Sequence, residues 1–489
     1  MALLALGGLG SGFACARERT PAPLRRPDLV FISIDTLRRD HLGLYGYGRD
    51  TSPTLDSLAT QAVTFENAFV QASWTLPSHV SMMTSTYPLV HQVDTERRSI
   101  PETLPLLAES LQAGGYRTVG FVSWIYLAAK FGFARGFDRY HELLPPPRLR
   151  DRSSKHSTRA HAVVDSVLAW ADAYAADGRP DETPFFLFVH FFDPHMDYDP
   201  PLEDARRFDP TLESTEDGTY RALEPYIAGL HGTTTIPESL ITRATALYDG
   251  EIRYTDREVG RLFGRLRTLG LLENAVVAVT SDHGEEFGEH GSMEGHQWTL
   301  YDDVLRVPLL ISVPPRMTEA PPGRRKEIVE SIDLAPTLLA FAGIDLPASY
   351  QGRALQPLLE DAAGGARDGR ATSGSSDVDD WPNRSFAEIG RFVVRASLRT
   401  PRHKLIHTRD TGGANRFGVP VDTGFQLFDI REDPGELHDR FDPADSTSQR
   451  LSEELRAWIR GRGAPEVVPE PVLTPEERER LRSVGYIGR

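Results

Sequence analysis

Two carboxylates and an imidazole stand where an α/β sheet would carry chemistry. Asp35 directly follows the apolar run LVFISI, and Asp282 with His283 follows AVVAVTS. Taken singly, each reads as a turn residue, because Asp at a strand end caps the turn that follows. Two acidic strand ends in one sheet, one of them joined to a histidine and followed by His290 and His296, instead form the carboxylate and imidazole set that suits a divalent metal.

A hydroxyl lies between them in sequence. In SWTLPSHVSMMT, from Ser73 to Thr84, Thr75 precedes Pro77, and proline fits the first turn of a helix. Thr75 is then either an ordinary helix cap or a group held at the positive end of a helix dipole, where an anion also binds. A hydroxyl is a weak nucleophile at neutral pH without a base or a metal, so Thr75 carries chemistry only beside Asp35, Asp282 and His283. A further cluster lies in FVHFFDPHMDYDPP. His190 falls within its strand pattern and reads as a structural histidine, whereas Asp193 and His195 fall past the strand end and read as ligands of a metal or of a substrate's anionic group.

These residues need a scaffold. Apolar runs predict strands at Leu29 to Ile34, Val119 to Val122, Phe185 to Phe192, Ala275 to Thr280 and Val307 to Val313. Helical spacing covers Leu55 to Phe65, Leu104 to Ala113, Val163 to Tyr174 and Ile241 to Leu272. Such alternation predicts a mostly parallel sheet with helices on both faces and ligands at the carboxyl ends of the strands. Asp361 to Asn383 is rich in Gly, Ala, Ser and Asp and reads as a flexible linker. Beyond it, Phe386 to Ile389, Phe392 to Leu398, Lys404 to His407 and Phe425 to Ile430 predict a small antiparallel sheet. Thr474, Pro475 and Glu477 then open a last helix containing Leu481. The expected organisation is an N-terminal segment 1–27, a catalytic body 28–360, a linker 361–383 and a C-terminal subdomain 384–489.

Composition sets the outer limits. The 489 residues are 40% hydrophobic and 25% charged, enough for one large core and a smaller one. A net charge of −16 with a single cysteine argues against a nucleic-acid surface and a disulfide framework, leaving small-molecule partners. The opening MALLALGGLGSGFAC resembles a signal segment, and Cys15 sits where a lipoprotein would be cleaved and lipidated. The expectation is an exported protein, periplasmic, extracellular or lipid-anchored, with membrane contact only through that anchor.

Together the segments resemble the sulfatase family of the alkaline phosphatase superfamily. The resemblance rests on SIDTLRRDHLGLYGYGRDTSPTLDSLA from Ser33, WTLPSHVSMMTSTYP from Trp74, TSDHGEEFGEHG from Thr280 and QLFDIREDPGE from Gln426, in that order along the chain. It implies an α/β/α sandwich with a small C-terminal antiparallel sheet, and one metal held by Asp35, Thr75, Asp282 and His283. It also implies that His195 contacts the transferred sulfate or phosphate, and that His296 does the same or binds a second metal. Three positions depart from the pattern. Thr75 stands where sulfatases carry a Cys or Ser that is oxidised to formylglycine, His79 replaces an Arg, and Thr36 replaces the second Asp of a tandem pair.

Oxidation of a threonine could give only a ketone, and because phosphodiesterases and phosphoethanolamine transferases related to the family use an unmodified Thr, the resemblance implies that Thr75 is an unmodified nucleophile and favours phosphoryl over sulfuryl transfer. The loss of an oxygen ligand at Thr36 favours zinc or manganese, with calcium still compatible. The expected activity is metal-dependent hydrolysis of sulfate or phosphate esters of small molecules, glycans or lipids. The alternatives are a transferase of phosphoryl-linked groups to a lipid or glycan, and a non-catalytic binding protein on the same scaffold.

Overall fold

Successive side chains of a strand face opposite sides of its sheet, and in β1 (Asp28–Ile34) both sides are apolar. Leu29 and Phe31 join one core, while Val30, Ile32 and Ile34 join another. A strand of this kind must be covered on both faces. The computed structural model describes residues 25–144, 158–178, 183–318, 321–360, 381–409, 412–415, 417–461 and 470–483. In chain order its other strands are β2 (Val63–Phe69), β3 (Arg117–Val122), β4 (Arg139–Glu142), β5 (Phe185–Phe191), β6 (Ala275–Ser281), β7 (Glu286–Phe287), β8 (Met293–Glu294), β9 (Arg306–Ser312), β10 (Gly323–Glu330), β11 (Ser385–Ile389), β12 (Arg395–Arg399), β13 (His403–Thr408) and β14 (Gly424–Asp429).

Eight of them form one sheet in the order β10-β2-β9-β6-β1-β5-β3-β4. It is mostly parallel, with β9 running against both of its neighbours. Helices Thr75–Thr84, Leu107–Ala113 and Leu334–Ala342 pack on one face through Leu76, Val80, Leu107, Leu111 and Leu338. Helices Ala160–Ala176 and Glu238–Thr268 pack on the other through Val163, Val167, Leu247 and Leu262. The result is the α/β/α sandwich. The strand register explains where chemistry can occur: Ile34 pairs with Phe191 of β5 and with Ser281 of β6. Asp35, Phe192 and Asp282 therefore leave the sheet side by side.

The small sheet has the antiparallel order β11-β12-β13-β14. Helix Ser446–Arg460 covers it, burying Leu451, Leu455 and Trp458 against Leu398, Leu405 and Leu427, with Tyr87 and Ile332 of the main body in the same cluster. Thr474 and Glu477 form the reciprocal capping pair at the start of helix Pro475–Ser483.

Three expectations need correction. Helical spacing from Leu55 to Phe65 misreads its second half, because the helix ends at Ala59 and β2 begins at Val63. Strands β4 and β10 carry too many polar residues (RYHE and GRRKEIVE) to show an apolar run. Phe392 precedes its strand, which starts at Arg395. Trp381, at the end of the stretch read as a linker, is buried and donates Nε1–H to the Ile328 carbonyl. Cys15 with the N-terminal segment to residue 24, residues 361–380, and Arg148 to Ser157 lie outside the described residues. Among those described, no helix is long and apolar enough to cross a membrane.

Candidate active site

The ends of β1 and β6 and the start of helix Thr75–Thr84 meet at one point. Asp35, Asp282 and His283 each present one ligand atom there, all within 4.8 Å of one another. Thr75 Oγ1 lies 3.4 Å from Asp35 Oδ2 and 3.5 Å from His283 Nε2. All four side chains are fully buried. The residue capping this helix is Trp74, without a side-chain bond, so the Thr75 hydroxyl is turned toward the cluster and does not serve as an ordinary cap.

Hydrogen bonds set the orientation of each group. His283 Nδ1 lies 2.9 Å from the Gly284 carbonyl, which can only accept, so Nδ1 carries the proton and the Nε2 lone pair faces Asp35, Asp282 and Thr75. Asp282 Oδ1 accepts from the backbone N–H of Thr36 and of His283, which turns Oδ2 inward. Thr36 adopts φ 53°, a conformation that costs a β-branched residue about 1–3 kcal/mol, and its N–H bond to Asp282 is one of the contacts that hold it there. His79 Nδ1–H donates to the Thr75 carbonyl and its Nε2 accepts from the Ser33 hydroxyl, so the position read as an Arg replacement braces the helix start.

Electrostatics favour a cation. Burial pushes the carboxyl groups of Asp35 and Asp282 well above the usual range. The His296 ring partly offsets this for Asp35, while Glu285 adds to it; the Asp35 carboxylate adds to it for Asp282. Burial, with His296 next, holds His283 well below its ordinary value and so neutral. Asp35 Oδ1 and Asp282 Oδ2 are buried and accept no hydrogen bond. Two inward carboxylate oxygens without donors, one imidazole lone pair and a hydroxyl form a donor set that fits a divalent metal.

A ring of histidines and acids surrounds the cluster. His195 donates Nδ1–H to the Met196 carbonyl at 2.6 Å, and its ring lies 5.0 Å from that of His296 and 4.4 Å from Phe192. The His296 ring lies 4.9 Å from His283; its Nδ1 bonds Glu285 Oε1 at 2.7 Å, and Nε2 lies 3.2 Å from Glu294 Oε1. Glu294 and Gln297, flanking His296, both have φ above 70°. His190, read as structural, is buried with Nε2 3.4 Å from Asp35 Oδ2. Asp193, read as a ligand, instead accepts the Ala160 N–H at the start of helix Ala160–Ala176. His290 sits in the β7–β8 turn, away from the cluster.

Several residues escaped the sequence reading. Glu285 and Glu294 hold His296, and Tyr198 donates its hydroxyl to Glu285. Arg391, in the connection between β11 and β12, lies over the Trp74 ring and donates to Gln297, Glu96 and Tyr126. Glu285, within the acid-rich HGEEFGEHG, offered a signal; Glu294 and Arg391 offered none. A cleft of about 530 Å³ between Trp74, Pro77, Arg395 and Arg456 borders the helix start but contains none of the four central residues.

Comparison with known proteins shows the family and the fold. The profile of the family described as Sulfatase matches residues 27–344, and that of the N-sulphoglucosamine sulphohydrolase C-terminal region matches residues 288–461. An N-acetylglucosamine-6-O-sulfatase of Bacteroides thetaiotaomicron is 22% identical over 86% of this chain and 84% of its own length. Human arylsulfatase A is 28% identical over 72% of this chain and 69% of its own length. A structure solved with its substrate D-glucosamine-2-N,6-O-disulfate superposes with a TM-score of 0.69 at 19% identity, covering 89% of this chain and 98% of the other. The phosphonate monoester hydrolase of Agrobacterium radiobacter gives 0.68 at 22% identity, covering 89% and 96%.

Proposed function

The chain belongs to the sulfatase family, whose members hydrolyse sulfuric esters, and on that premise we propose that it is a metal-dependent ester hydrolase with Thr75 as an unmodified nucleophile and a preference for phosphoesters. The observation that carries this reading is the position of Thr75 Oγ1, 3.4 Å from Asp35 and 3.5 Å from His283 at the start of a helix. The side chain adds chemistry to that position. A threonine cannot become an aldehyde hydrate, so its hydroxyl must attack as it is.

Asp35, Thr75, Asp282 and His283 would hold the metal, zinc or manganese on the mixed nitrogen and oxygen set. When bound, such a cation supplies Lewis-acid charge stabilisation and lowers the proton affinity of the hydroxyl. The protein groups do the rest. The bond from Thr75 Oγ1 to Asp35 orients the hydroxyl and gives its proton an acceptor. Thr75 Oγ1 then forms the bond to phosphorus as the bond to the leaving oxygen breaks, in line, and the positive helix end favours the non-bridging oxygens. His195 or His296, in its protonated form, gives a proton to the leaving oxygen and regains one from the attacking water, while Asp35 returns the hydroxyl proton to Thr75. Water cleaves the Thr75 ester and restores the hydroxyl.

The substrate is an anionic ester of a small molecule or glycan. In support, one relative is a sugar 6-O-sulfatase, and the same fold serves a phosphonate monoester hydrolase. Sulfate ester hydrolysis is the second reading, favoured by the family itself. The test is release of p-nitrophenol from its sulfate, phosphate monoester and phosphate diesters with zinc, manganese or calcium, comparing wild type with Thr75→Ala. Zinc- or manganese-dependent phosphoester turnover lost in the variant supports the proposal. Thr75-dependent turnover of sulfate alone, or full activity in Thr75→Ala, contradicts it.

A further inference from the structure

Besides Asp35, Asp282 and His283, and the group of His79, His190 and Asp282 that shares Asp282 with them, Glu286, His290 and Asp303 form a group of ligand-type side chains apart from the catalytic cluster, with one ligand atom from each lying within 4.8 Å of the others. We propose that this group binds a divalent transition-metal cation that clips the β7–β8 ribbon to the entrance of β9. Glu286 lies on β7, His290 in the turn between β7 and β8, and Asp303 in the helical turn Asp302–Leu305 that feeds β9. Three segments meet at one point.

The unsatisfied atoms point to a cation. Asp303 Oδ1 and Oδ2 and Glu286 Oε2 are buried and accept no hydrogen bond. Glu286 is fully buried, and the side chains of Asp303 and His290 are 9% and 10% exposed. His290 Nε2 stands 3.6 Å from Asp303 Oδ2, too far for a hydrogen bond yet suited to two ligands of one ion. The nearby protein cations are committed elsewhere. Arg38 bonds Asp40, Glu289 and the Glu285 carbonyl, and Lys404 bonds Asp302 with Glu436 alongside. Carboxylate oxygens buried without a partner are costly, and a divalent ion removes that cost.

The framework is preorganised. The His290 ring stacks on Tyr301 at 3.5 Å between centroids and 12° between planes, which fixes its direction. Gly288 and Gly291, at φ 92° and 75°, close the turn through bonds from Gly288 to Ser292 and from Gly291 to Gly288. One nitrogen and two carboxylates suit zinc, manganese or cobalt(II) better than calcium or magnesium, and the partly exposed edge gives water the remaining positions. The segment from β7 to β8 also follows Glu285 and ends in Glu294, the two acids that hold His296. The clip is independent of the chemistry proposed for Thr75.

The test uses the full chain, stripped with a chelator and dialysed against cobalt(II) at neutral pH, with metal per chain measured by mass spectrometry. Asp303→Asn and His290→Gln should each hold one cobalt fewer than wild type. Asp282→Asn should keep the clip's cobalt, its visible d–d bands and a cobalt-dependent rise in Tm, and Asp282→Asn/Asp303→Asn should lose all three. Equal cobalt in wild type and His290→Gln, or no cobalt bands in Asp282→Asn, overturns the proposal and assigns Glu286 and Asp303 to proton sharing. His290 is at a turn, so its variant decides the matter if Asp303→Asn does not fold.

Discussion

Replacing Asp302 by alanine should unlatch the C-terminal sheet. Asp302 Oδ1 accepts from Lys404 Nζ at 2.8 Å and Oδ2 from Arg399 Nε at 2.9 Å. Lys404 has no exposed side-chain surface and Arg399 only 6%. Burial alone would raise the Asp302 carboxyl, but Arg399 and Lys404 outweigh it and hold the group well below the usual range. With the folded-state value depressed, its stabilisation is complete above about pH 4 and is lost as pH falls further. The full effect is therefore present at neutral pH. Breaking a buried pair costs about 3–5 kcal/mol. Glu436 Oε1, 3.8 Å from Lys404 Nζ, takes over part of the attraction, which places the expected loss near the lower figure, about 3 kcal/mol. Urea unfolding at pH 7, followed by tryptophan fluorescence, measures it, because Trp298 and Trp458 pack beside the small sheet. Asp302→Ala/Lys404→Met should recover more than half of the loss by removing the stranded ammonium. A loss below about 1 kcal/mol, or a double variant no more stable than the single one, refutes the reasoning.

Other outcomes follow from the same contacts. Burial, with Asp333 adding, pushes the Glu330 carboxyl up to about 8 against the Tyr87 hydroxyl bond, so the folded state holds a proton that the unfolded chain releases. Stability should fall as pH rises from about 4.5 toward 8, by at most about 1.4 kcal/mol per pH unit; Tm series should show a flatter profile for Glu330→Gln. His195→Ala and His296→Gln should each lower kcat by roughly 10²–10⁴, and whichever protonates the leaving oxygen should lose more on phenyl than on p-nitrophenyl esters. Equal losses on both leaving groups for both variants would remove the proton-donor role. Phe188→Ala, in the fully packed centre of β5, should cost about 3–5 kcal/mol by denaturant titration without moving KM.

The fold was legible where strands are buried on both faces. β1 and β6 run as largely apolar segments, each followed by the acid that the sheet delivers to its carboxyl edge, and β5 is apolar except for His190. Asp35, Asp282 and His283 could therefore be read in place, and Thr75 through the proline after it. β2 was not legible, since Val63 and Phe65 continue the helical spacing of Leu55 and Leu58 across the turn that separates them. β4 lies at the sheet edge and β10 at the opposite edge, where one side meets water and polar residues break the run. Within the site, periodicity cannot foresee residues brought in by long connections. Arg391 reaches Gln297 and Glu96 across 94 and 295 positions of chain, and the path of the chain after β5 turns Asp193 away from the cluster to accept the Ala160 N–H.

The central claim is that the Thr75 hydroxyl, unmodified, forms a covalent ester during turnover. Mass spectrometry of the peptide carrying Thr75 tests it most directly, after acid-quenching the enzyme during turnover of an aryl phosphate diester with zinc or manganese. The account predicts an unmodified threonine before substrate is added and a phosphoryl group esterified to Thr75 after it. Steady turnover with Thr75 never labelled, the adduct falling on another residue or on none, would contradict it.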